Sequence, residues 1–221
     1  LTVSGFTAEP SQSDDHGVVV AAFLGGATEG TAKNVEIYAI DAAKRNNEGK
    51  SYPEVSVGMY QALEGAGVKI YNQSFGVDSD VTKFSSSSTA SNYYGNQIGN
   101  DILAFYKDAV NNKGALFIWA AGNNSLDKNP SLESSLPYFD NTLQKGWINV
   151  VSLTSKKVSD LGDTSWDNLT ALTPAGVAKN WTVTVVGDQV FEIKGKRYVG
   201  SGSSYAAPVV SGTAALLKEK Y

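Results

Sequence analysis

The sequence predicts an α/β protein in which a mainly parallel sheet is flanked by helices. Apolar residues recur at helical spacing over residues 96–112, and this amphipathic pattern ends close to Gly114. Residues 115–120 then form an apolar run that suits a strand buried on both faces. The same succession of helix and strand occurs earlier in the chain, with a helical pattern over residues 53–65 and a strand pattern over residues 68–74. Such alternation is typical of parallel strands joined by crossover helices.

Three further elements are predicted from shorter patterns in the first and central parts of the chain. Residues 16–24 indicate a short buried helix, which Asp14 or Asp15 would cap. Residues 35–40 alternate between apolar and polar side chains and predict a strand. Residues 147–153 are mostly apolar and predict another central strand.

Two segments predict irregular or hairpin structure. Residues 182–199 alternate around Gly187-Asp188 and Lys194-Gly195-Lys196, which predicts two antiparallel hairpins leading into the next motif. Residues 84–92 are rich in serine and predict a flexible surface loop.

Length and composition limit the class of protein. A chain of 221 residues without a shift in composition predicts one domain, spanning residues 1–221. The net charge of −4 argues against nucleic acid or an anionic membrane surface as a partner. The chain has no cysteine, so disulfides and thiol chemistry are excluded. No apolar run approaches the length of a membrane span.

The stretch Gly202-Ser203-Ser204-Tyr205-Ala206-Ala207-Pro208 predicts a serine nucleophile at the start of an apolar helix. Small residues allow a tight turn and close packing, and proline is tolerated in a first helical turn. Backbone N–H groups at that helix end would favour the negative charge that forms when Ser204 attacks a carbonyl. A buried helix packed closely against a sheet is the alternative explanation of the same pattern.

His16 is the only histidine in the sequence. A serine nucleophile needs a general base, so His16 is the only histidine that could serve Ser204. The fold would have to bring these two residues together, because they lie near opposite ends of the chain.

Four segments carry distinctive motifs in chain order: His16-Gly17, Tyr71-Asn72-Gln73-Ser74-Phe75-Gly76, Ala120-Ala121-Gly122-Asn123 and Gly202-Ser203-Ser204-Tyr205-Ala206-Ala207-Pro208. Together they resemble the motifs of the subtilisin-like serine proteases, the subtilases. Two positions depart from the family pattern: Val19 stands where a second histidine is common, and Ser203 stands where threonine is usual.

The resemblance implies a three-layer fold with a mainly parallel sheet, and a serine endopeptidase that acts on polypeptides. His16 would take the proton of Ser204, and the Asn123 side chain with the Ser204 N–H would form the oxyanion hole. The residues that would bind the substrate backbone as an added strand are Ser74, Phe75, Gly76, Ala120 and Gly122.

The aspartate of the triad has no clear candidate in the sequence. Subtilases place it on a strand well before the histidine, but only fifteen residues precede His16. Asp14 and Asp15 are too close to His16 and are better interpreted as helix caps. We therefore expect the aspartate upstream of this chain, and a fold incomplete at both termini. The missing segment, or another protein chain, would cover the exposed sheet.

No metal or cofactor is predicted. Many subtilases bind calcium, but the loop usually used for it is shortened here to residues 24–30. Residues 25–33 have glycines and a lysine, yet their spacing does not match a phosphate-binding loop.

The sequence can be compared with three alternatives to an active subtilase. An α/β-hydrolase needs a histidine after its serine, and none follows Ser204. A chymotrypsin-like barrel does not suit the predicted helices. A catalytically silent subtilase-like module, used for binding or as part of a surface protein, is favoured by the missing aspartate and stays open. Similarity to secreted and autotransporter subtilases of bacteria predicts a location outside the cell or on its surface.

Overall fold

A five-stranded sheet lies at the centre of the fold in the computed structural model, which describes residues 3–4, 15–45, 51–93, 98–155, 168–193 and 196–221. The strands are β1 (Val3–Ser4), β2 (Ile37–Tyr38), β3 (Ala43–Arg45), β4 (Ser51–Pro53), β5 (Ile70–Gln73), β6 (Leu116–Ala120), β7 (Trp147–Ser155), β8 (Leu169–Ala171), β9 (Thr182–Val186), β10 (Gln189–Ile193) and β11 (Lys196–Gly200). The helices are α1 (Asp15–Gly25), α2 (Val57–Gly65), α3 (Ser87–Tyr93), α4 (Asn100–Lys113) and α5 (Ser203–Lys220).

The central sheet is mainly parallel, as the sequence predicts. Strands β5, β6, β7 and β9 run parallel, and only β8 pairs antiparallel with the end of β7. Gln73 of β5 pairs with Trp119 of β6, so these two strands end side by side. Their carboxyl ends therefore meet at one edge of the sheet, where ligands bind in open α/β folds.

One face of this sheet is covered by a large aromatic cluster. The rings of Phe117 and Trp147 come from neighbouring strands, and Tyr60 of α2 and Tyr106 of α4 pack against them. The two tyrosine hydroxyls are hydrogen bonded, with Tyr106 donating to Tyr60 over 2.7 Å. This pairing satisfies two polar groups that would otherwise be buried without partners.

The opposite face packs on α5, which contacts β5, β6 and β7. Ala206 and Ala207 are fully buried there against Ile118 and Val150. Helix α1 lies on the outer side of α5, so the layers run from helices to sheet to helices. The three-layer α/β class predicted from the sequence is confirmed.

Helices α2 and α4 begin and end close to their predicted positions. Helix α4 ends at Gly114, whose left-handed backbone with φ 67° lets its N–H reach back to the Ala109 carbonyl. Helix α2 begins at Val57 rather than at residue 53, because Ser56 is extended and stands at the N-cap position. Residues 35–40 contribute only the short β2 strand, which pairs with β1.

The first of the two predicted hairpins is wrong. Strand β9 pairs in parallel with β7, with Thr182 beside Asn149 and Val186 beside Leu153. Gly187 continues this path, since its N–H donates to the Leu153 carbonyl over 2.8 Å. Local alternation could not reveal this long-range partner. The second hairpin is confirmed by the antiparallel pairing of β10 with β11.

The predicted flexible loop over residues 84–92 is also wrong, because part of it forms α3. The Ser86 hydroxyl accepts a hydrogen bond from the Thr89 N–H over 3.1 Å, as a helix-capping serine does. Ala90 is buried, so one face of this helix packs against the fold. Of the two proposed caps for α1, Asp14 lies outside the described residues and Asp15 is the first helical residue.

Two absences concern only the described ranges. No helix there combines the length and apolar character that a membrane crossing requires. The same ranges contain no group of three or more histidine, cysteine, aspartate or glutamate side chains placed to hold a metal ion.

Gly212 generates a prediction about the contact between α5 and α1. A Cβ atom at this position would lie 2.7 Å from the Thr31 Cβ and 2.9 Å from the Leu24 carbonyl oxygen. We expect Gly212→Ala to lower the free energy of unfolding by about 1–3 kcal/mol, because the packed atoms must move. Urea unfolding would measure it.

The matched control is Gly65→Ala at the end of α2, where an added Cβ would meet no atom within 4 Å. Alanine has the higher helix propensity, so this variant should be unchanged or more stable by up to about 1 kcal/mol. Equal stability of both variants would contradict tight packing at Gly212.

Candidate active site

Ser204 lies in the first turn of α5, beside the segment that follows β5. The Ser204 hydroxyl donates to the Ser74 carbonyl over 3.2 Å, and the Ser74 hydroxyl donates to the Ser204 carbonyl over 2.9 Å. Gly202 precedes the helix with φ 152°, a backbone conformation that favours glycine. The structure therefore brings together two predicted site residues that are 130 positions apart.

Asn123 follows β6 and is anchored to the start of α5. Its Oδ1 accepts hydrogen bonds from the Ser203 N–H over 2.8 Å and from the Ser203 hydroxyl over 3.1 Å. The carboxamide is thereby oriented, because its only acceptor is occupied. Its Nδ2 group is left to donate. The Ser204 N–H has no hydrogen-bond partner within the described ranges, so two donors remain on this part of the cleft.

A cleft of about 320 Å³ separates the segments that follow β5 and β6. We call it the slot: residues 74–78 form one wall, residues 120–124 form the other, and residues 131–133 close its back. Ser131 and Leu132 join the walls, since their N–H groups donate to the Ala121 and Val77 carbonyls over 2.8 and 2.9 Å. The residues that line it are Phe75, Gly76, Asp78, Ala120, Gly122, Asn123, Asn124, Ser131, Ser203 and Ser204.

Small residues keep the slot open. A Cβ atom at Gly76 would lie 2.7 Å from the Ser131 side chain, so a larger residue would displace the back of the slot. Gly122 has φ 116°, which an L side chain rarely adopts. All five predicted substrate-binding residues lie on the walls, and four of them line the slot directly. The fifth, Ser74, holds Ser204.

A chain of hydrogen bonds fixes the wall that carries Ser74. The Ser211 hydroxyl on α5 donates to Asn72 Oδ1 over 2.9 Å, and Asn72 Nδ2 donates to the Ser74 hydroxyl over 2.9 Å. Together with the Ser74 bond to Ser204, these contacts tie β5 to α5 at two points. The side chains face the site as one connected unit.

His16 lies at the start of α1, next to the residue that follows Ser204. Its ring centroid is 6.0 Å from that of Tyr205, which also contacts Phe23 of α1 at 5.7 Å. His16 is solvent exposed, yet partial desolvation of the ring lowers its pKa below the ordinary value. In the described part of the chain, no hydrogen bond joins His16 to Ser204 or to a carboxylate.

Sequence reasoning missed Glu133, a buried carboxyl at the back of the slot. It is 4% exposed, and its Oε2 accepts from the Val77 N–H over 2.8 Å. Desolvation raises the pKa of Glu133 to about 7 despite this hydrogen bond. Glu133 belongs to no motif. The sequence around it shows only a single acidic residue among serines and leucines.

Two hydroxyl residues have contacts in the site that the sequence did not predict. The Ser203 hydroxyl accepts from the Gly122 N–H over 3.1 Å, in addition to its bond with Asn123. Thr173 is buried and holds the same loop, because its hydroxyl accepts from the Asn124 N–H over 3.0 Å. Both hydroxyls help to hold the loop that carries Asn123, the candidate for the oxyanion hole.

Comparison with known proteins gives the family. The model of the subtilase family (peptidase S8) matches residues 3–221. The chain belongs to the subtilase family. This membership confirms the resemblance that the four motifs carry.

The curated relatives that match have low sequence identity to this chain. The Neisserial autotransporter lipoprotein NalP from two strains of Neisseria meningitidis serogroup B is 28% identical over 118 residues. That alignment covers 51% of this chain and 11% of NalP, so the chain spans only a small part of this relative's length.

Solved structures of low identity share the fold. The prenylagaramide maturation protease PagA superposes with a TM-score of 0.64 at 19% identity, covering 97% of this chain and 68% of PagA. The protease domain of PatA gives 0.64 at 18%, covering 98% and 69%. The PatG macrocyclase in complex with peptide gives 0.57 at 16%, covering 92% and 52%. The subtilase chain therefore has the subtilisin-like fold.

Glu133 generates a prediction about stability and pH. Its pKa rises from 4.5 to about 7 on folding, so the folded chain keeps a proton that the unfolded chain has lost. The protonated carboxyl therefore adds about 3 kcal/mol to the free energy of unfolding. This contribution is complete below pH 4.5 and is lost as the pH rises through about 7. Glu133→Gln, which stays neutral and still accepts a hydrogen bond, should remove that loss. Thermal unfolding from pH 4.5 to 8 measures it.

The exposed Glu29 provides the control, and Glu29→Gln should follow the parent curve at every pH. A Glu133→Gln curve that stays parallel to the parent curve would show that the buried carboxyl does not titrate with folding.

His16 generates a prediction about proton binding. The chain has one histidine, so a single imidazole signal titrates in its NMR spectrum. We expect its pKa in this chain to lie below 6.5, because desolvation acts on the ring and no described side chain places a carboxylate against it. His16→Gln identifies the signal by removing it. A pKa above 6.5 would reveal a carboxylate neighbour and contradict the described surroundings of the ring.

Proposed function

We propose that this subtilase is a serine endopeptidase that hydrolyses peptide bonds with Ser204 as its nucleophile. The observation that supports it most is the slot itself. One cleft is bordered by Ser204, by the oriented Asn123 amide and by the segments that follow β5 and β6. A peptide laid along these segments as an added strand would present a carbonyl group to the Ser204 hydroxyl.

In the proposed reaction, the Ser204 oxygen forms a bond to the peptide carbonyl carbon while His16 takes the hydroxyl proton. The carbon–nitrogen bond then breaks, and His16 gives this proton to the leaving amine. Water then attacks the acyl carbon while His16 takes one of its protons. The bond to the Ser204 oxygen breaks, and His16 returns the proton to that oxygen. Ser204 must first leave the Ser74 carbonyl, to which it donates in the structure, and turn towards His16.

Asn123 and the Ser204 N–H are the proposed oxyanion donors. Both are available, because Asn123 Oδ1 is held by Ser203 and the Ser204 N–H lies in the first turn of α5. The helix end adds a favourable dipole for negative charge. No metal or cofactor is needed for this step.

The carboxylate that orients His16 is proposed to come from a strand upstream of Leu1. Two observations support this proposal. Within the described ranges, no carboxylate is hydrogen bonded to His16, and β5 pairs only with β6, which leaves its other edge open for a strand. The order aspartate, histidine, serine in the family has the same implication. Either that segment or another chain would satisfy the edge.

A silent binding module is the second candidate. The Ser204 hydroxyl donates to a backbone carbonyl instead of to His16, and that arrangement favours a site that binds peptides without cleaving them. The slot would serve such a module as well as an enzyme. Similarity to part of an autotransporter lipoprotein supports a secreted or cell-surface location in either case.

Covalent labelling by a fluorophosphonate tests the proposed nucleophile. We expect the intact mass to rise by one adduct, because the probe reacts with an activated serine. Ser204→Ala should lose the adduct completely. Asn123→Ala should slow labelling by about 10²–10³, a magnitude taken from the equivalent donor in subtilisin.

Ser85→Ala is the matched control, since this serine lies near α3 and does not line the slot. Its labelling should equal that of the parent chain. If the parent chain stays unlabelled even with upstream sequence attached, the silent binding module is the better account.

A further inference from the structure

The slot carries an acidic side chain that none of the four motifs includes. Asp78 ends the first wall, and its Oδ1 lies 3.5 Å from the place that a Cβ atom would occupy at Gly122 on the opposite wall. Asp78 also lines the slot together with Asn123 and Ser204. Its carboxylate therefore faces the opposite wall across the cleft that Ser204 also lines.

The charged groups that the structure describes next to Asp78 are negative. Desolvation raises the pKa of Asp78, and the neighbouring Asp127 carboxylate raises it further. The charge of Asp78 also helps to raise the pKa of Glu133, at the back of the slot. The ion pairs of the described ranges join other residues, namely Lys107 to Asp140 and Lys113 to Glu64 and Asp108.

Among the described side chains, no lysine or arginine forms an ion pair with Asp78. Residues 74–78 and 131–133 contain no lysine or arginine, and Lys128 is the only one within residues 120–130. Lys128 is exposed and belongs to none of the ion pairs formed by the described residues. A positive group brought in by a ligand would find a carboxylate already placed and partly desolvated for it.

We propose that the slot binds a lysine or arginine side chain of the substrate, at the residue whose carbonyl Ser204 attacks, and that Asp78 selects it. This inference rests on the proposed function. Gly76, Ala120 and Gly122 leave room for the long apolar stem of such a side chain, and Asp78 accepts hydrogen bonds from its charged end.

Other side chains fit the same surroundings less well. An acidic side chain would be repelled by the Asp78 carboxylate. An apolar side chain would displace water from Asp78 and give it no partner. Among the described residues that line the slot, Phe75 and Ala120 have apolar side chains, whereas Asp78, Asn124 and Ser131 add polar groups. The lining therefore favours a side chain that combines an apolar stem with a positive end.

Peptide binding tests this inference without requiring catalysis. Ser204→Ala is mixed with fluorescent peptides that differ only in one residue, which is lysine, leucine or glutamate at the position of the attacked carbonyl. Anisotropy gives each Kd. We expect the lysine peptide to bind about tenfold more tightly than the leucine peptide, and the glutamate peptide to bind most weakly. High salt should weaken the lysine peptide more than the leucine peptide.

Asp78→Asn, added to the Ser204→Ala chain, should abolish the preference for lysine while keeping the binding of the leucine peptide. Asp101→Asn is the matched control, because Asp101 is an exposed aspartate on α4 that does not line the slot. It should keep the tenfold preference. Circular dichroism of each variant verifies that the fold is retained.

The inference is overturned if no peptide binds, if leucine binds as tightly as lysine, or if Asp78→Asn keeps the preference. Labelling of Ser204 in the unmutated chain is measured in parallel. Labelling without a lysine preference overturns the inference alone. A lysine preference without labelling, even when upstream sequence is attached, supports the inference and overturns the proposed hydrolysis.

Discussion

The bonds between Ser203 and Asn123 are the constraint on which the site depends. They connect the start of α5 to the end of β6, two elements 80 residues apart in the chain. One hydroxyl serves both sides, since it donates to Asn123 and accepts from the Gly122 N–H. The contact fixes the direction of the Asn123 amide and the distance from Ser204 to the slot. Serine replaces the usual threonine here and keeps the hydroxyl that this contact requires.

Helix α5 is both a core element and the mount of the nucleophile. Its buried alanines pack on the sheet, and α1 packs on its other side, with Tyr205 held between Ser204 and the α1 rings. The position of His16 is therefore set through the packing of α1 on α5. Small residues on α5 are needed at both faces, which explains why its sequence is low in large side chains.

The site motifs were predictable because each is local. Glycines, alanines and a polar residue at the end of an apolar run indicate the open end of a strand, and the two walls of the slot lie where those patterns end. The partner of β9 was not predictable, because alternation gives a strand but not its neighbour. Glu133 and Asp78 were missed for a related reason: the residues that surround each of them come from segments about 50 residues apart in the chain.

The contact between Phe75 and the core links the slot to the tryptophans. The Phe75 ring meets Trp119 edge to face with centroids 5.7 Å apart, and Trp119 stacks on Trp147 at 5.5 Å. Both indoles are shielded from water. A ligand that moves the Phe75 ring alters the surroundings of a buried indole, so the intrinsic ultraviolet emission of the protein is an optical reporter of slot occupancy. The wild-type chain thus has a built-in signal for titrations without an attached dye.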